Sequence, residues 1–370
     1  MNKKLTLFDG AMGTVLNELG LMSECNELLN LEQPEVIKSI HKDYAASGSE
    51  FVKTNTFGAS PLKLRRSGND GAAFDINKAA LTLAKLSGVK AAGDIGPSGE
   101  LYFPYGSVST FDIYNSYLVQ AMALKDADAI LIETMSSLVE ANLAYLAVRN
   151  FNKNIPIIMS FTFDNGYTMM GCTPELIAKA TNSLDIYAIG TNCSGGPKEL
   201  LSVVRALSQY SVHKVCAMPN AGLPILDGEK VTYPFGADQF AKAMINIIEA
   251  GAEIIGGCCG TTSEHIAALN ALDIVPSRKY PEIEHYCATE REFMPIAAAV
   301  DCIADLDEIL KIEESGAMAR IDLRYTEISE DYFNDFNMLS SRPKCFKAKP
   351  EQELMIRLLY QGITDIVITD

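Results

Sequence analysis

Positive charge is scarce in this sequence. Its 370 residues carry 31 lysines and arginines against 47 aspartates and glutamates, a formal net charge of −16. That balance argues against nucleic acid or an anionic membrane as partner. The run Lys63-Leu64-Arg65-Arg66 is too short to form a basic patch and reads as a solvated helix end. Long apolar runs are missing too, and no segment approaches bilayer-spanning length. Residues 1–10 hold two lysines and a short apolar run that stops at Asp9, which is not a signal peptide. The nine cysteines lack regular spacing, so they do not form a disulfide framework. The expected setting is a reducing cytoplasm, where thiols stay free to bind metal.

What is present is ordinary globular material: 48% apolar residues, 26 glycines and 15 prolines. The length suits one large domain, or one large and one small. Along the chain, short apolar runs alternate with amphipathic stretches. Strands are expected at about 5–8, 51–55, 89–95, 129–134, 155–161, 187–190, 214–218 and 253–256, each followed by a helix. Eight such units in about 275 residues predict a (β/α)₈ barrel. The competing doubly wound sheet lacks its GxGxxG fingerprint after the first strand. Residues 277–292 are charged and aperiodic and are expected as a linker. The division is therefore a barrel over 1–280 and a small α/β appendage over 281–370, in which no chemical motif stands out.

Reactive and polar residues gather just after the strands: Asp9, Asn55, Asp94, Glu133, Asn192, Cys193, Asn220, Cys258 and Cys259. A barrel places all those strand ends on one face, where active sites are built. The focal stretch is Gly256-Gly257-Cys258-Cys259-Gly260-Thr261-Thr262. Neighbouring side chains on a regular strand point to opposite faces, so the two thiols converge only where the strand breaks, and the glycines permit that break. Cys193, at the end of strand six, is the expected third thiol. Three thiolates leave one position open on a tetrahedral zinc, the pattern of a catalytic rather than a structural site. His41 and His265 fall on predicted helices, His213 precedes a strand and His285 lies in the linker, so none is placed as a ligand. A cation held by three sulfurs acidifies an entering thiol yet remains a weak Lewis acid, which suits alkyl transfer to sulfur.

These residues also match a known family. The chain resembles the homocysteine S-methyltransferases, most closely the homocysteine-binding module of cobalamin-dependent methionine synthases. The resemblance runs over about residues 5–275, through Asp9-Gly10-Ala11-Met12-Gly13-Thr14, Thr54-Asn55-Thr56-Phe57-Gly58-Ala59 and Gly93-Asp94-Ile95-Gly96-Pro97. It continues through Ile132-Glu133-Thr134, Asn192-Cys193, Pro219-Asn220-Ala221-Gly222 and the Cys258-Cys259 stretch. It implies a zinc barrel converting homocysteine to methionine, with Cys193, Cys258 and Cys259 as ligands. It further implies that Asp9 and Glu133 hold the substrate ammonium, that amides near Gly10 and Ala11 receive the carboxylate, and that Asn220 occupies the zinc when homocysteine is absent. Charge logic alone does not separate Asp9 and Glu133 from Asp94.

The Asp-x-His-x-x-Gly signature of a cobalamin module is missing, and the last eighty or so residues do not resemble a folate module. The likeness to the cobalamin-dependent branch implies methylcobalamin as donor, and the missing signature makes a separate corrinoid protein its expected carrier. Two alternatives stand: direct use of a small sulfonium such as S-methylmethionine, or a non-catalytic zinc-thiolate subunit of a corrinoid complex.

Overall fold

The computed structural model describes residues 5–227, 230–339 and 342–369. Residues 1–4, which carry both lysines of the leader question, lie outside the described residues.

Eight parallel strands form the expected barrel. They are β1 (Thr6–Leu7), β2 (Phe51–Lys53), β3 (Lys90–Ile95), β4 (Ala129–Met135), β5 (Ile157–Phe161), β6 (Ala188–Cys193), β7 (Lys214–Pro219) and, after an intervening hairpin, β10 (Ile254–Ile255). The sheet runs β1-β10-β7-β6-β5-β4-β3-β2. It closes where Asp9 N donates to Phe51 O (3.1 Å) and Glu50 N donates to Leu7 O (2.8 Å). The Phe8 and Phe51 rings stack at 4.8 Å beside that seam. Phe8, Leu131, Ile158, Met218 and Ile254 fill the barrel interior. The barrel is therefore plugged below, and any cavity must open at the strand ends.

The helices begin where local chemistry says they should. Ser109, Ser137 and Thr173 cap the helices Thr110–Leu124, Leu138–Phe151 and Pro174–Thr181 with their side-chain oxygens. Proline opens Pro34–Ala46, Pro174–Thr181 and Pro197–Tyr210. The hairpin β8 (Ile225–Asp227) and β9 (Lys230–Thr232) carries no sequence expectation and lies just after β7.

Residues 277–292 are not a free linker. The Arg278 guanidinium donates to the carbonyls of Ser208 (2.9 Å), His213 (2.5 Å) and Ser211, and pairs with Glu253 at 3.7 Å. This straps the chain to the helix-to-strand end of the barrel. Beyond it, β11 (Tyr286–Ala288) and β12 (Phe293–Pro295) form an antiparallel hairpin. A 3₁₀ turn at Ile296–Ala298 separates β12 from β13 (Ala299–Ile303). Then β13, β14 (Met318–Asp322), β15 (Cys345–Ala348) and β16 (Ile366–Ile368) pair in sequence order as a parallel sheet.

The appendage is built into the barrel. Ala288, Leu358 and Ile363 join its apolar cluster. At the turn between β11 and β12, Glu290 is buried and accepts hydrogen bonds from Ser137 Oγ (2.5 Å), Leu138 N (3.0 Å), Val139 N (3.1 Å), Tyr102 OH (3.2 Å) and Cys172 Sγ (2.8 Å). It thus caps the helix that follows β4.

No helix among the described residues is long and apolar enough to cross a membrane. All nine cysteines are free thiols.

Candidate active site

A cavity of about 1420 Å³ opens at the strand ends, and its wall includes Asp9, Lys53, Asp94, Glu133, Cys193, Cys258 and Cys259. Strand β10 ends at Ile255, so the two adjacent cysteines lie in irregular backbone, as their convergence requires. Thr261 holds that turn, its N–H and Oγ donating to Cys258 O at 3.1 and 2.7 Å. Gly257 is needed for close approach, since a Cβ there would lie 2.3 Å from Thr261 Oγ1. Gly260 has φ +80° beneath the Tyr233 ring, a backbone region that favours glycine.

The sulfurs of Cys193, Cys258 and Cys259 all lie within 4.8 Å of one another. Tetrahedral zinc with Zn–S near 2.3 Å spaces its sulfurs by about 3.8 Å, which is within that span. Hydrogen bonding to Cys258, aided by burial, pushes the Cys193 thiol up to about 12. Cys259 is raised in the same way by Cys193. Three thiolates this close repel one another, so ionising all of them calls for a cation among them. The donor set fits a soft divalent metal.

The same cavity wall carries three acids. Asp9 follows β1, Asp94 lies in β3 and Glu133 in β4, and each keeps a buried oxygen that no donor reaches among the described residues. Burial pushes the Asp9 carboxyl up to about 7, against the pull of the Lys53 ammonium and of a hydrogen bond from Lys53 N (2.8 Å). Asp94 is raised too, first by burial and then by Glu133. Asp94 therefore belongs to the site and is more than a turn residue.

Asn192 joins the two sides. Its Oδ1 accepts from Thr134 N (2.9 Å) and Ser160 Oγ (2.7 Å), and its Nδ2 donates to Thr134 Oγ1 (2.7 Å). Thr134, Cys193 and Ser194 all have positive φ, at 61°, 55° and 59°, a conformation that costs about 1–3 kcal/mol per residue and needs such support. Ser194 Oγ accepts from Phe163 N at 3.0 Å.

Not every expected residue lines the cavity. Asn220 is buried between the Cys193 turn and the Cys258–Cys259 turn. Its N–H donates to Gly195 O at 2.9 Å, and its Oδ1 finds no donor among the described residues. Gly10 and Ala11 do reach the wall, but the Ala11 N–H already donates to Thr261 O at 3.3 Å. Tyr44 OH stitches this turn to the cysteine loop, its one hydrogen shared between Ala11 O (2.9 Å) and Thr261 O (3.2 Å).

Lys53 and Tyr233 are among the wall residues that carry no sequence expectation. Lys53, on β2, donates through Nζ to Gly257 O at 3.2 Å and lies 3.8 Å from Asp9 Oδ1. The available signal is one lysine closing an apolar strand. Tyr233, just after β9, lies beside Cys259, and burial together with that thiol raises its phenol. No periodicity marks it.

Fold and site together define a (β/α)₈ barrel whose strand-end cavity carries a cluster of three thiols that could hold a metal ion, together with three buried acids. The chain belongs to the homocysteine S-methyltransferase family, which matches residues 6–272. It is 30% identical over 356 residues to proteins named methionine synthase from Mycobacterium tuberculosis and Mycobacterium leprae, covering 90% and 89% of this chain and 29% of each synthase. The chain thus spans under a third of those relatives. Ninety per cent of 370 residues is about 333, more than the 267 of the family match, so this similarity continues past the barrel. Among solved structures, the metallated form of the homocysteine methyltransferase MmuM from Escherichia coli shares the fold at TM-score 0.61 and 24% identity, covering 72% of this chain and 96% of that one.

Proposed function

We propose that this chain is a zinc-dependent methyltransferase that moves a methyl group to the thiol of homocysteine, giving methionine, with methylcobalamin on a separate corrinoid protein as donor. The observation that carries the reading is the sharing of one cavity by three thiols within 4.8 Å of each other and three acids with donor-free oxygens. An amino acid ending in a thiol presents the matching pair of groups. Cys193, Cys258 and Cys259 would hold the zinc, and Asn220, buried between the two cysteine turns, would take its open position when homocysteine is absent. When bound, the metal lets a substrate thiol ionise near neutral pH while leaving the sulfur nucleophilic.

Asp9 and Glu133 hold the substrate ammonium, which orients the sulfur toward the open face. The turn at Gly10 and Ala11 and the start of the helix Met12–Glu18 lie on the same wall, where helix-start amides have no partner within the helix. A macromolecular donor is favoured by the rim. Loops after β1, β2, β3, β5 and β7 expose Met22, Phe57, Tyr105, Met169 and Leu226, an apolar surround suited to a docking protein. We take residues 1–280 as the catalytic barrel, residues 281–370 as its attached appendage, and a reducing cytoplasm as the setting for the free thiols.

Methyl transfer to homocysteine should proceed with a methylated corrinoid protein. Turnover with S-methylmethionine alone, and none with the corrinoid protein, would overturn the donor assignment. Asp9→Asn or Glu133→Gln should weaken homocysteine binding by about 1.5–3 kcal/mol, the size of a hydrogen bond to a charged group, without altering zinc content. Unchanged affinity in both variants would remove these acids from the site.

The raised Asp9 value adds a pH signature. Its ionised form is needed for the ammonium, so affinity should climb as pH rises through about 7. Asp9→Asn should flatten that climb in calorimetry between pH 6 and pH 8. For ligand-free protein the sign reverses: a carboxyl raised from 3.8 to about 7 contributes stability at low pH that is lost as pH rises through 7.

A further inference from the structure

We propose that Cys287 and Cys345 are a reversible dithiol–disulfide pair, which ties the C-terminal sheet to the hairpin whose Glu290 caps the helix Leu138–Phe151. The inference goes beyond the homocysteine reading and does not depend on it. The two sulfurs lie 3.4 Å apart on β11 and β15, 58 residues apart in sequence. Both residues are fully buried, in a small apolar cluster with Met318 that is separate from the barrel core and from the larger appendage core. Disulfide sulfurs sit about 2.05 Å apart, so the pair must close by about 1.4 Å. Beside it, Ala288 and Ile363 exchange two backbone hydrogen bonds of 2.8 Å, the existing tie between hairpin and sheet. A bond between the sulfurs makes that tie covalent, three residues before Glu290.

Buried thiols often serve only as small apolar fillers. This pair is polarised instead. The Asp365 N–H donates to Cys287 Sγ at 3.3 Å. The contact with Cys345, aided by that amide, draws the Cys287 thiol below its ordinary value against the effect of burial, and the same contact raises Cys345. Cys287 is thereby the attacking thiol and Cys345 the resolving one. With hydrogen peroxide as oxidant the chemistry balances. The Cys287 thiolate attacks one peroxide oxygen, the O–O bond breaks, and the leaving hydroxide takes up the proton that Cys287 gave, forming water. The Cys345 sulfur then attacks the resulting sulfenic acid. The S–S bond forms, the S–O bond breaks, and a second water leaves with the Cys345 proton. Two thiols lose two electrons, and a dithiol reductant restores them. Access comes through local opening, since β11 and β12 are three residues each and short two-stranded hairpins are marginally stable. In reducing compartments such pairs are characteristically transient and redox-sensing.

The test treats the full-length, zinc-loaded protein with hydrogen peroxide, quenches it by alkylation in denaturant, and maps the thiols by peptide mass. A matched sample is melted by circular dichroism. The peptides bearing Cys287 and Cys345 should appear linked, about 2 Da below the sum of their thiol forms. The melting midpoint should rise by a few degrees, because the cross-link constrains the unfolded chain. Dithiothreitol should return both readings to their starting values. C287A and C345A should each abolish the linked peptides and the rise, and wild type alone carries the result if either variant fails to fold. Oxidation confined to Cys193, Cys258 and Cys259, with Cys287 and Cys345 recovered as alkylated thiols, would overturn the proposal. So would a linked form whose midpoint does not rise.

Discussion

Changing any one of Cys193, Cys258 or Cys259 to serine should take bound zinc from one per chain to near zero after dialysis and reduce methyl transfer to background. The three sulfurs converge from two separate turns, and none belongs to an apolar core cluster. Losing one leaves two protein thiolates, and a serine hydroxyl is a poor replacement for a soft donor. Without the cation, homocysteine sits near its free thiol pKa of about 8.5, so only a few per cent is nucleophilic at neutral pH. The barrel itself should stay folded, because its core is filled independently of the thiols, unlike a zinc finger. Metal analysis alongside circular-dichroism melting checks both halves. Full zinc retention in each single variant would show the ligand set to be wrong.

The second large effect is expected far from the chemistry. Glu290→Ala should destabilise the protein by about 3–5 kcal/mol, since several buried donors lose their acceptor at about 1–3 kcal/mol each before relaxation. Its two oxygens accept from five donors, among them the first two amides of the helix Leu138–Phe151. Removing the carboxylate leaves those donors buried and unmatched, and it strips a negative charge from a helix N-terminus. Glu290→Gln keeps the shape and should lose less. Chemical denaturation with matched slopes gives the difference, and a midpoint unchanged in the alanine variant would refute the network's importance. Because the helix follows the strand bearing Glu133, residues 281–370 cannot be deleted without disturbing the pocket wall. An assay of the isolated barrel would therefore report the lost cap along with any partner-binding role.

The barrel was legible because its signal is repeated. Eight alternations of short apolar runs with amphipathic helices survive errors of a few residues at any boundary. The thiol site was legible because strand ends of a parallel barrel share a face, so Cys193 could be joined to Cys258 and Cys259 without knowing a distance. Lys53 escaped notice for the opposite reason. One lysine closing Phe51–Lys53 resembles the exposed end of a half-buried strand, and only barrel closure turns it inward. Glu290 was hidden by its neighbours, since an acid within a charged, proline-containing stretch carries no periodicity. Tyr233 depends on a short hairpin after β7 whose strands are three residues each. In each case the deciding contact lies far away in sequence, and local pattern has no access to it.

The Asn192 clamp has a thermodynamic consequence. One side chain holds Thr134, the neighbour of Glu133, and is itself the neighbour of Cys193. The acids proposed for the ammonium and the thiols proposed for the cation are thereby linked through a single amide. Linkage is reciprocal: any factor by which the metal tightens homocysteine is the factor by which homocysteine tightens the metal. Substrate should therefore protect the zinc against a chelator, and Asn192→Ala should weaken that protection more than it weakens either ligand bound alone.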